Sequence, residues 1–205
     1  LASIISPFWN IEIPALSSKS PYYCNRSKME ALLHWLEVHP DLKYVVISQY
    51  WVGRMENTKY DWDKNPADRS TEAHAECLRQ FLIRLKAIGK QPILVAPTPD
   101  FTINPARGAR LCNRRGGGEV TNKPFECSYD KYMKRHGKIV AMLKKMESEG
   151  LASIIEPALT LSPGEPFRAY ENGKLYFRDR NHLSVTGSTV YVDKLKSRFL
   201  ELISE

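Results

Sequence analysis

Asp179 and His182 are the two residues whose types and spacing best indicate acid–base chemistry in this sequence. A carboxylate three residues before a histidine can accept a hydrogen bond from one imidazole nitrogen, which fixes the tautomer of the ring. The other nitrogen is then available as a base that takes a proton from a serine hydroxyl. From spacing alone a structural role is the commoner explanation, with Asp179 as a helix cap and His182 as a packed ring. No serine in a recognisable nucleophile motif accompanies the pair.

The other histidines and the cysteines give weaker signals. The remaining histidines lie in or beside predicted helices, and surface or packed positions are predicted for all four: His34, His39, His74 and His136. No C-x-x-C pair occurs, so no metal site is predicted, and nothing indicates a cofactor. Cys112 and Cys127 enclose a loop rich in glycine and arginine. A disulfide there would stabilise the fold by about 3 kcal/mol and imply an oxidising compartment such as the periplasm; the alternative is two free thiols.

The pattern of apolar residues predicts alternating strands and helices. Four continuously apolar runs are typical of parallel strands covered on both faces: 1–8, 44–48, 92–96 and 152–155. Four segments with one apolar face predict helices: 28–38, 70–88, 129–149 and 185–203. Two short runs around Glu171-Asn172-Gly173, at 167–170 and 174–177, predict a hairpin.

This order of elements predicts an α/β fold, specifically a three-layer α/β/α sandwich with a parallel sheet. The whole chain, residues 1–205, is expected to form a single domain. Right-handed crossovers would then bring the carboxyl ends of the strands, and any active site, to one edge of the sheet.

The composition is that of a globular chain with an excess of basic residues. Since 42% of the residues are hydrophobic and 26% are charged, wholesale disorder is disfavoured. No run approaches the roughly 20 apolar residues that span a bilayer. The net charge of +7 indicates either a solvated basic surface or an anionic partner, such as an acidic substrate or a membrane surface. Nucleic acid is disfavoured, because neither zinc-finger spacing nor an aromatic-basic RNA-binding signature occurs.

The block from Tyr176 to Gly187, Y-F-R-D-R-N-H-L-S-x-x-G, resembles the final block of SGNH hydrolase-like domains. It looks most like the extracytoplasmic domain fused to acyltransferase-family-3 membrane proteins, the bacterial O-antigen acetyltransferases. Two weaker landmarks agree in order and separation over nearly the whole chain. They are the strand and aromatic W at 45–51 and the strand and P-x-P turn at 95–101. The cysteine pair that the family often carries before the final block is missing here.

The resemblance implies acyl transfer through a serine ester, with His182 as the general base and Asp179 as the carboxylate that orients the ring. The family's nucleophilic serine lies in a G-D-S-H block at the end of its first strand, and this sequence has no such block. The first strand and the serine are therefore expected upstream of Leu1. Ser6 and Ser48 are poor substitutes, because neither lies in a glycine-flanked turn.

Further roles in holding the oxyanion or the substrate are assigned to an amide, an indole and three guanidinium groups. These candidates are Gln49, Trp51, Arg54, Arg107 and Arg114. In the strand where broader SGNH enzymes carry an oxyanion-binding asparagine, this chain has Gln49, and Arg54 follows nearby, so either could supply the donor. The arginine-rich loop between 100 and 128 could hold an anionic sugar, a lipid pyrophosphate carrier or the membrane face.

The resemblance therefore implies a domain at the periplasmic face of the bacterial inner membrane that transfers an acetyl group to a hydroxyl of a cell-envelope saccharide. The acyl donor would come from a fused or partner acyltransferase membrane domain, with this chain as the C-terminal part of a larger membrane protein. Two alternatives stay open. One is an SGNH carbohydrate esterase, in which water attacks the acyl-enzyme. The other is a non-catalytic glycan-binding domain that kept the fold and lost the nucleophile.

Overall fold

The computed structural model describes residues 3–4, 23–24, 26–49, 51, 59–60, 71–108, 125–158, 166–171 and 174–204. The long helices within these ranges are α1 (Arg26–Glu37), α2 (Thr71–Ala87), α3 (Tyr129–Ser148) and α4 (Val185–Ser204). The strands are β1 (Ser3–Ile4), β2 (Tyr23–Cys24), β3 (Tyr44–Ser48), β4 (Lys59–Tyr60), β5 (Gln91–Val95), β6 (Glu126–Cys127), β7 (Ser153–Ile155), β8 (Phe167–Arg168), β9 (Tyr170–Glu171) and β10 (Lys174–Leu175).

The chain divides into two compact units. The first unit consists of Leu1–Ala96 and Lys138–Ile155, and the second consists of Pro97–Gly137 and Glu156–Glu205. Helix α3 contributes its first nine residues, 129–137, to the second unit and the rest to the first. The single domain over residues 1–205 stays a prediction.

The first unit is built on a parallel sheet with the strand order β1-β3-β5-β7. All three pairings in this sheet are parallel, and β3 pairs with β5 along its full length, from Tyr44 opposite Gln91 to Ser48 opposite Val95. The central residues of β3 are buried, as expected for a strand covered on both faces. The predicted α/β class with a parallel sheet is therefore confirmed.

One hydrophobic core fills this first unit. Its fully buried members come from α1, β3, α2, β5 and α3, and include Leu36, Ile47, Leu82, Leu94 and Leu143. Each of these side chains belongs to a strand or helix that the apolar pattern predicts, so burial of apolar surface accounts for how the helices cover the sheet.

Helix ends follow local signals in the chain. Gly89 and Gly150 adopt positive φ angles of 76° and 70°, the left-handed conformation that ends a helix without steric cost. The amide of Lys90 donates to the carbonyl of Leu85 at 2.9 Å, which completes the turn after α2. Helix α1 begins at Arg26, two residues before the predicted start at 28. The Arg84 guanidinium of α2 donates two hydrogen bonds to the Glu30 carboxylate of α1.

The second unit contains two antiparallel strand pairs and helix α4. The predicted hairpin is present but shorter, since β9 pairs with β10 only over Tyr170–Glu171 and Lys174–Leu175. The preceding strand β8 pairs with β6, a partner about 40 residues earlier in the chain. Within the residues that the structure describes, no helix is both long and apolar enough to cross a membrane.

Candidate active site

The loop of residues 178–182 joins the end of the hairpin to helix α4 and carries the predicted dyad. Antiparallel backbone contacts join the residues that enter the loop to those that leave it. Phe177 and Leu183 form an isolated bridge, and the Arg178 amide donates to the His182 carbonyl at 2.9 Å. The Ser184 amide donates to the Tyr176 carbonyl at 2.9 Å. The loop therefore has a fixed base, and its tip is the Asp179-Arg180-Asn181 segment.

Asp179 organises this tip with its side chain. Its Oδ1 accepts hydrogen bonds from the backbone N–H groups of Asn181 at 3.0 Å and His182 at 2.8 Å. Both carboxylate oxygens also lie within hydrogen-bond reach of His182 Nδ1, Oδ2 at 2.8 Å and Oδ1 at 3.0 Å. An aspartate that binds the backbone two and three residues later is a common turn-forming arrangement, and here it also orients a ring.

The charge of Asp179 is stabilised by these same contacts. Partial burial raises the pKa of the carboxyl, but the two backbone N–H groups and the His182 ring together lower the pKa below its ordinary value. The carboxylate is therefore ionised at neutral pH, and it can only accept a hydrogen bond from the Nδ1–H group. The neutral imidazole consequently carries its proton on Nδ1 and a lone pair on Nε2.

The His182 side chain is 50% exposed, and the Asp179 side chain is 36% exposed. Among the described residues, Nε2 of His182 has no hydrogen-bond partner. This arrangement, a carboxylate on one nitrogen and an accessible lone pair on the other, suits removal of a proton from a hydroxyl group.

Helix α4 starts directly after this loop, and Ser184 forms its cap. The Ser184 hydroxyl accepts from the Gly187 amide at 2.9 Å and donates to the Leu175 carbonyl at 2.5 Å. The cap therefore ties the helix start to strand β10. The predicted helix start at 185 is confirmed, and the cap is Ser184 rather than Asp179.

Of the other predicted site residues, Gln49 and Trp51 belong to the first unit and Arg107 to the second. Gln49 is half-buried just after β3. Trp51 lies in the hydrophobic core, 1% exposed, and its indole N–H donates to the Val95 carbonyl at 2.8 Å. Arg107 is exposed on a short helical segment at 105–108. Arg54 and Arg114 lie outside the described residues.

The structure adds groups near the dyad that sequence reasoning missed. Arg178 and Arg180 flank Asp179 and are exposed, so the loop itself presents guanidinium groups beside the catalytic candidate. The sequence shows both arginines, but it does not show that the turn at Asp179 leaves both side chains exposed next to the His182 ring. The segment after β5 also contacts this loop, since the Phe101 amide donates to the Arg180 carbonyl at 2.8 Å.

His136 differs from its prediction in one respect. It is a packed histidine, as expected, but it has a carboxylate neighbour from elsewhere in the chain, since Nε2 lies 3.6 Å from Asp100 Oδ2. Helical register could not reveal this contact, because Asp100 comes from the loop after β5.

The predicted disulfide is not confirmed. Cys127 is a free, buried cysteine in the structure, and its thiol lies 3.6 Å from the Ser128 carbonyl. Burial raises the pKa of this thiol, which keeps it protonated and unreactive. Cys112 lies outside the described residues.

Neither a metal-ligand cluster nor a role for the two serines considered above is seen among the described residues. No three acidic, histidine or cysteine side chains in the ranges given above lie close enough to hold a metal ion. Ser48 is exposed at the end of β3, and Ser6 lies outside the described residues.

A family model and a solved structure match this chain. The model of the family described as "SGNH domain (fused to AT3 domains)" matches residues 6–197. The periplasmic domain of the lipopolysaccharide acetyltransferase of Salmonella ser. Paratyphi A has a similar structure, with a TM-score of 0.54 at 10% sequence identity. The match covers 86% of this chain and 62% of that one, so the chain spans less than two thirds of its length. No curated protein sequence matches. Since the family model covers nearly the whole sequence, the chain belongs to the SGNH domains that are fused to AT3 domains.

Proposed function

We propose that this domain transfers an acetyl group to a hydroxyl of a cell-envelope saccharide, with His182 as the general base. The observation that carries the proposal is the geometry of one ring: Asp179 lies 2.8 Å from Nδ1, while Nε2 is accessible. The family membership supports an acyl-transfer role, since its members are fused to AT3 domains. The acetyltransferase periplasmic domain with a similar fold supports acetyl as the acyl group.

In this mechanism a serine hydroxyl attacks the carbonyl carbon of the acyl donor, and His182 Nε2 takes the hydroxyl proton. The donor's leaving group then accepts that proton, and an acyl-serine remains. A saccharide hydroxyl next attacks the acyl-serine, His182 takes its proton, and the proton returns to the serine oxygen. General base catalysis of this kind contributes typically about 10²- to 10⁴-fold to the rate. Asp179 stabilises the imidazolium at both steps.

The serine in this proposal is that of the family's G-D-S-H block, which the 205 residues do not contain, and the acyl donor is expected to come from an AT3 membrane domain. This pairing would place the domain at the periplasmic face of the bacterial inner membrane. The acceptor class is supported by charge: the chain carries a net +7, and Arg178 and Arg180 are exposed beside the dyad. Guanidinium groups bind carboxylate and phosphate oxygens with two parallel hydrogen bonds, so an acidic or phosphorylated saccharide fits this loop.

The proposal is tested in bacteria that express the complete protein. We expect His182→Ala to abolish acetylation of the surface polysaccharide, measured as O-acetyl signals in the proton NMR spectrum of the purified glycan. The matched control is His34→Ala, because His34 is 77% exposed on α1 and should leave acetylation unchanged. Both variant proteins should melt at the wild-type temperature. Full acetylation by His182→Ala would overturn the assignment.

A second candidate function is hydrolysis of an acetylated saccharide by the same residues. The observation that favours it is the half-exposed His182 ring, since water can reach the position from which an acyl-enzyme would be attacked. The two functions are separated by supplying acetylated polysaccharide without an acyl donor. Release of free acetate that requires His182 would indicate an esterase, and acetate retained on the glycan would favour transfer.

A further inference from the structure

The segment of residues 97–101, which follows β5, makes contacts with the loop of residues 178–182 that carries Asp179 and His182. The Phe101 amide donates to the Arg180 carbonyl at 2.8 Å, and the Thr98 hydroxyl donates to the Asn181 carbonyl at 3.3 Å. The buried ring of Phe101 also packs edge-on against Phe177, with ring centroids 4.7 Å apart. The 97–101 segment thus contacts the tip of the loop twice and its base once.

The first turns of helix α3 hold this segment from its other side. The buried Tyr132 hydroxyl donates to the Pro97 carbonyl at 3.1 Å. The Asp100 carboxylate faces two basic side chains of the same helix, with Oδ2 3.5 Å from Arg135 Nε and 3.6 Å from His136 Nε2. The Asp100 side chain is only 20% exposed, which strengthens its attraction to the guanidinium relative to a surface pair. The carboxylate is therefore an attachment point between α3 and the 97–101 segment.

We propose that Asp100 is a positioning residue for His182, acting through the Phe101–Arg180 backbone hydrogen bond. This inference rests on the proposed function, in which His182 is the base. The Asp179–His182 contact fixes the ring relative to its own loop, but the loop must also be fixed relative to the rest of the unit. Asp100 supplies that second restraint, because it attaches to α3 the segment that holds the loop tip. Misplacement of a catalytic group by about 1 Å can cost about 10²-fold in rate.

The test compares Asp100→Asn with Asp130→Asn in the complete protein. Asp130 is an exposed carboxylate in the first turn of the same helix, so its variant controls for loss of one negative charge. We expect Asp100→Asn to lower kcat about 10- to 100-fold with KM within twofold of wild type. Asp130→Asn should change neither constant. A raised KM with unchanged kcat would mean that Asp100 contacts the substrate, and it would overturn the proposal.

Amide hydrogen exchange gives a second readout that does not depend on activity. The Phe101 amide reports the bond to Arg180, and the Arg178 amide reports the closure of the loop on His182. In Asp100→Asn we expect about 10-fold faster exchange at Phe101 and unchanged exchange at Arg178. Equal acceleration at both amides would indicate general destabilisation, and unchanged exchange at Phe101 would show no link; either result rejects a positioning role.

Thr98→Val provides a variant that removes one hydroxyl without touching the ion pair. It should lower kcat in the same direction by a smaller factor. An unchanged kcat would show that the 97–101 segment does not hold the loop tip, and it would reject the proposal even if Asp100→Asn does not fold. If wild-type protein transfers no acyl group, the proposed function fails on that result alone. Exchange at Phe101 still decides separately whether Asp100 holds the loop.

Discussion

Asp179 binds both the ring and the backbone of His182: its Oδ2 lies 2.8 Å from Nδ1, and its Oδ1 lies 2.8 Å from the backbone nitrogen. One carboxylate therefore sets the shape of the turn and the orientation of the imidazole together. A three-residue spacing makes this possible, because the aspartate side chain reaches across a single turn. The same contacts that define the proposed catalytic pair also have consequences for folding stability.

Asp179→Asn separates the catalytic contribution of the carboxylate from its structural one. Asparagine keeps an oxygen for the two backbone N–H groups, but it has no negative charge to stabilise the imidazolium. In serine proteases the equivalent change costs about 10⁴-fold in kcat. We expect a loss of about 10³- to 10⁴-fold in acyl transfer, measured by acetate incorporation into the glycan.

The matched control for this substitution is Asp193→Asn on helix α4. Asp193 is an exposed carboxylate eleven residues after His182, and its neutralisation should leave the rate unchanged. A wild-type rate in Asp179→Asn would show that the carboxylate contributes only to the turn.

The pH dependence of stability should reflect the lowered pKa of Asp179. Because the folded protein holds this carboxyl ionised below its ordinary pKa of 3.8, the unfolded chain takes up a proton first as the pH falls. The stabilisation is therefore complete above about pH 5 and is lost as the pH falls through the folded pKa.

Urea unfolding of wild type and Asp179→Asn measures this effect directly. The difference in unfolding free energy between the two proteins should shrink as the pH falls below 4, because the carboxylate is then lost in the folded wild type too. A difference that grows below pH 4 would contradict the assigned direction. Asp193→Asn again serves as the control, with no change in its difference from wild type over the range.

Gly187 lies in the first turn of α4, where the helix approaches strand β10 closely. A Cβ atom added at this position would lie 1.9 Å from the Tyr176 carbonyl oxygen, which is backbone and cannot rotate away. We expect Gly187→Ala to lower the unfolding free energy by about 3 kcal/mol or more, because the helix start must shift. The shift would also disturb the nearby His182 loop.

Gly137→Ala in helix α3 is the corresponding control. Its added Cβ would meet only the Met133 methyl group at 3.6 Å, an ordinary contact distance. Since alanine favours a helix over glycine by about 1 kcal/mol, this variant should be as stable as wild type or more stable. Equal stability of both alanine variants in chemical denaturation would contradict the close approach at Gly187.

Local pattern predicted much of the fold. The run of β-branched residues at 44–48 corresponds to β3 without error, and α4 begins at the predicted residue, Val185. The predicted helix ends at 88 and 149 lie one residue beyond those of α2 and α3, where glycines stop both helices. These bounds depend on residues close in sequence, so hydrophobic periodicity and helix-ending glycines are enough to predict them.

Contacts between distant segments were not predicted. Strand β8 pairs with β6 rather than extending the hairpin, and nothing in either two-residue strand specifies the partner. Asp100 beside His136 depends on how a loop meets a helix. Trp51 was a site candidate because of a family landmark, whereas its indole N–H bonds to Val95 in the core. The dyad could be predicted because its two residues are three apart.

His136 provides the last prediction. It is a buried histidine, 2% exposed, and it has one anionic neighbour, Asp100, and one cationic neighbour, Arg135. Burial lowers its pKa to about 4, and the neighbouring Arg135 acts in the same direction. The Asp100 carboxylate favours the protonated ring, but loss of hydration is the larger effect. Between pH 6.5 and pH 4 the unfolded chain therefore binds a proton that the folded protein does not, and stability falls by about 3 kcal/mol over this range.

His136→Phe removes this titration while keeping a ring in the buried position beside Tyr132. Neither ring nitrogen of His136 has a hydrogen-bond partner among the described residues, so the substitution should cost little at pH 7. Urea unfolding should give a wild-type free energy that falls from pH 6.5 to pH 4 relative to that of His136→Phe. His34→Gln, on the exposed face of α1, should follow wild type throughout. Parallel profiles for wild type and His136→Phe would mean that the buried ring is protonated as readily as a free one, with Asp100 compensating for the lost water.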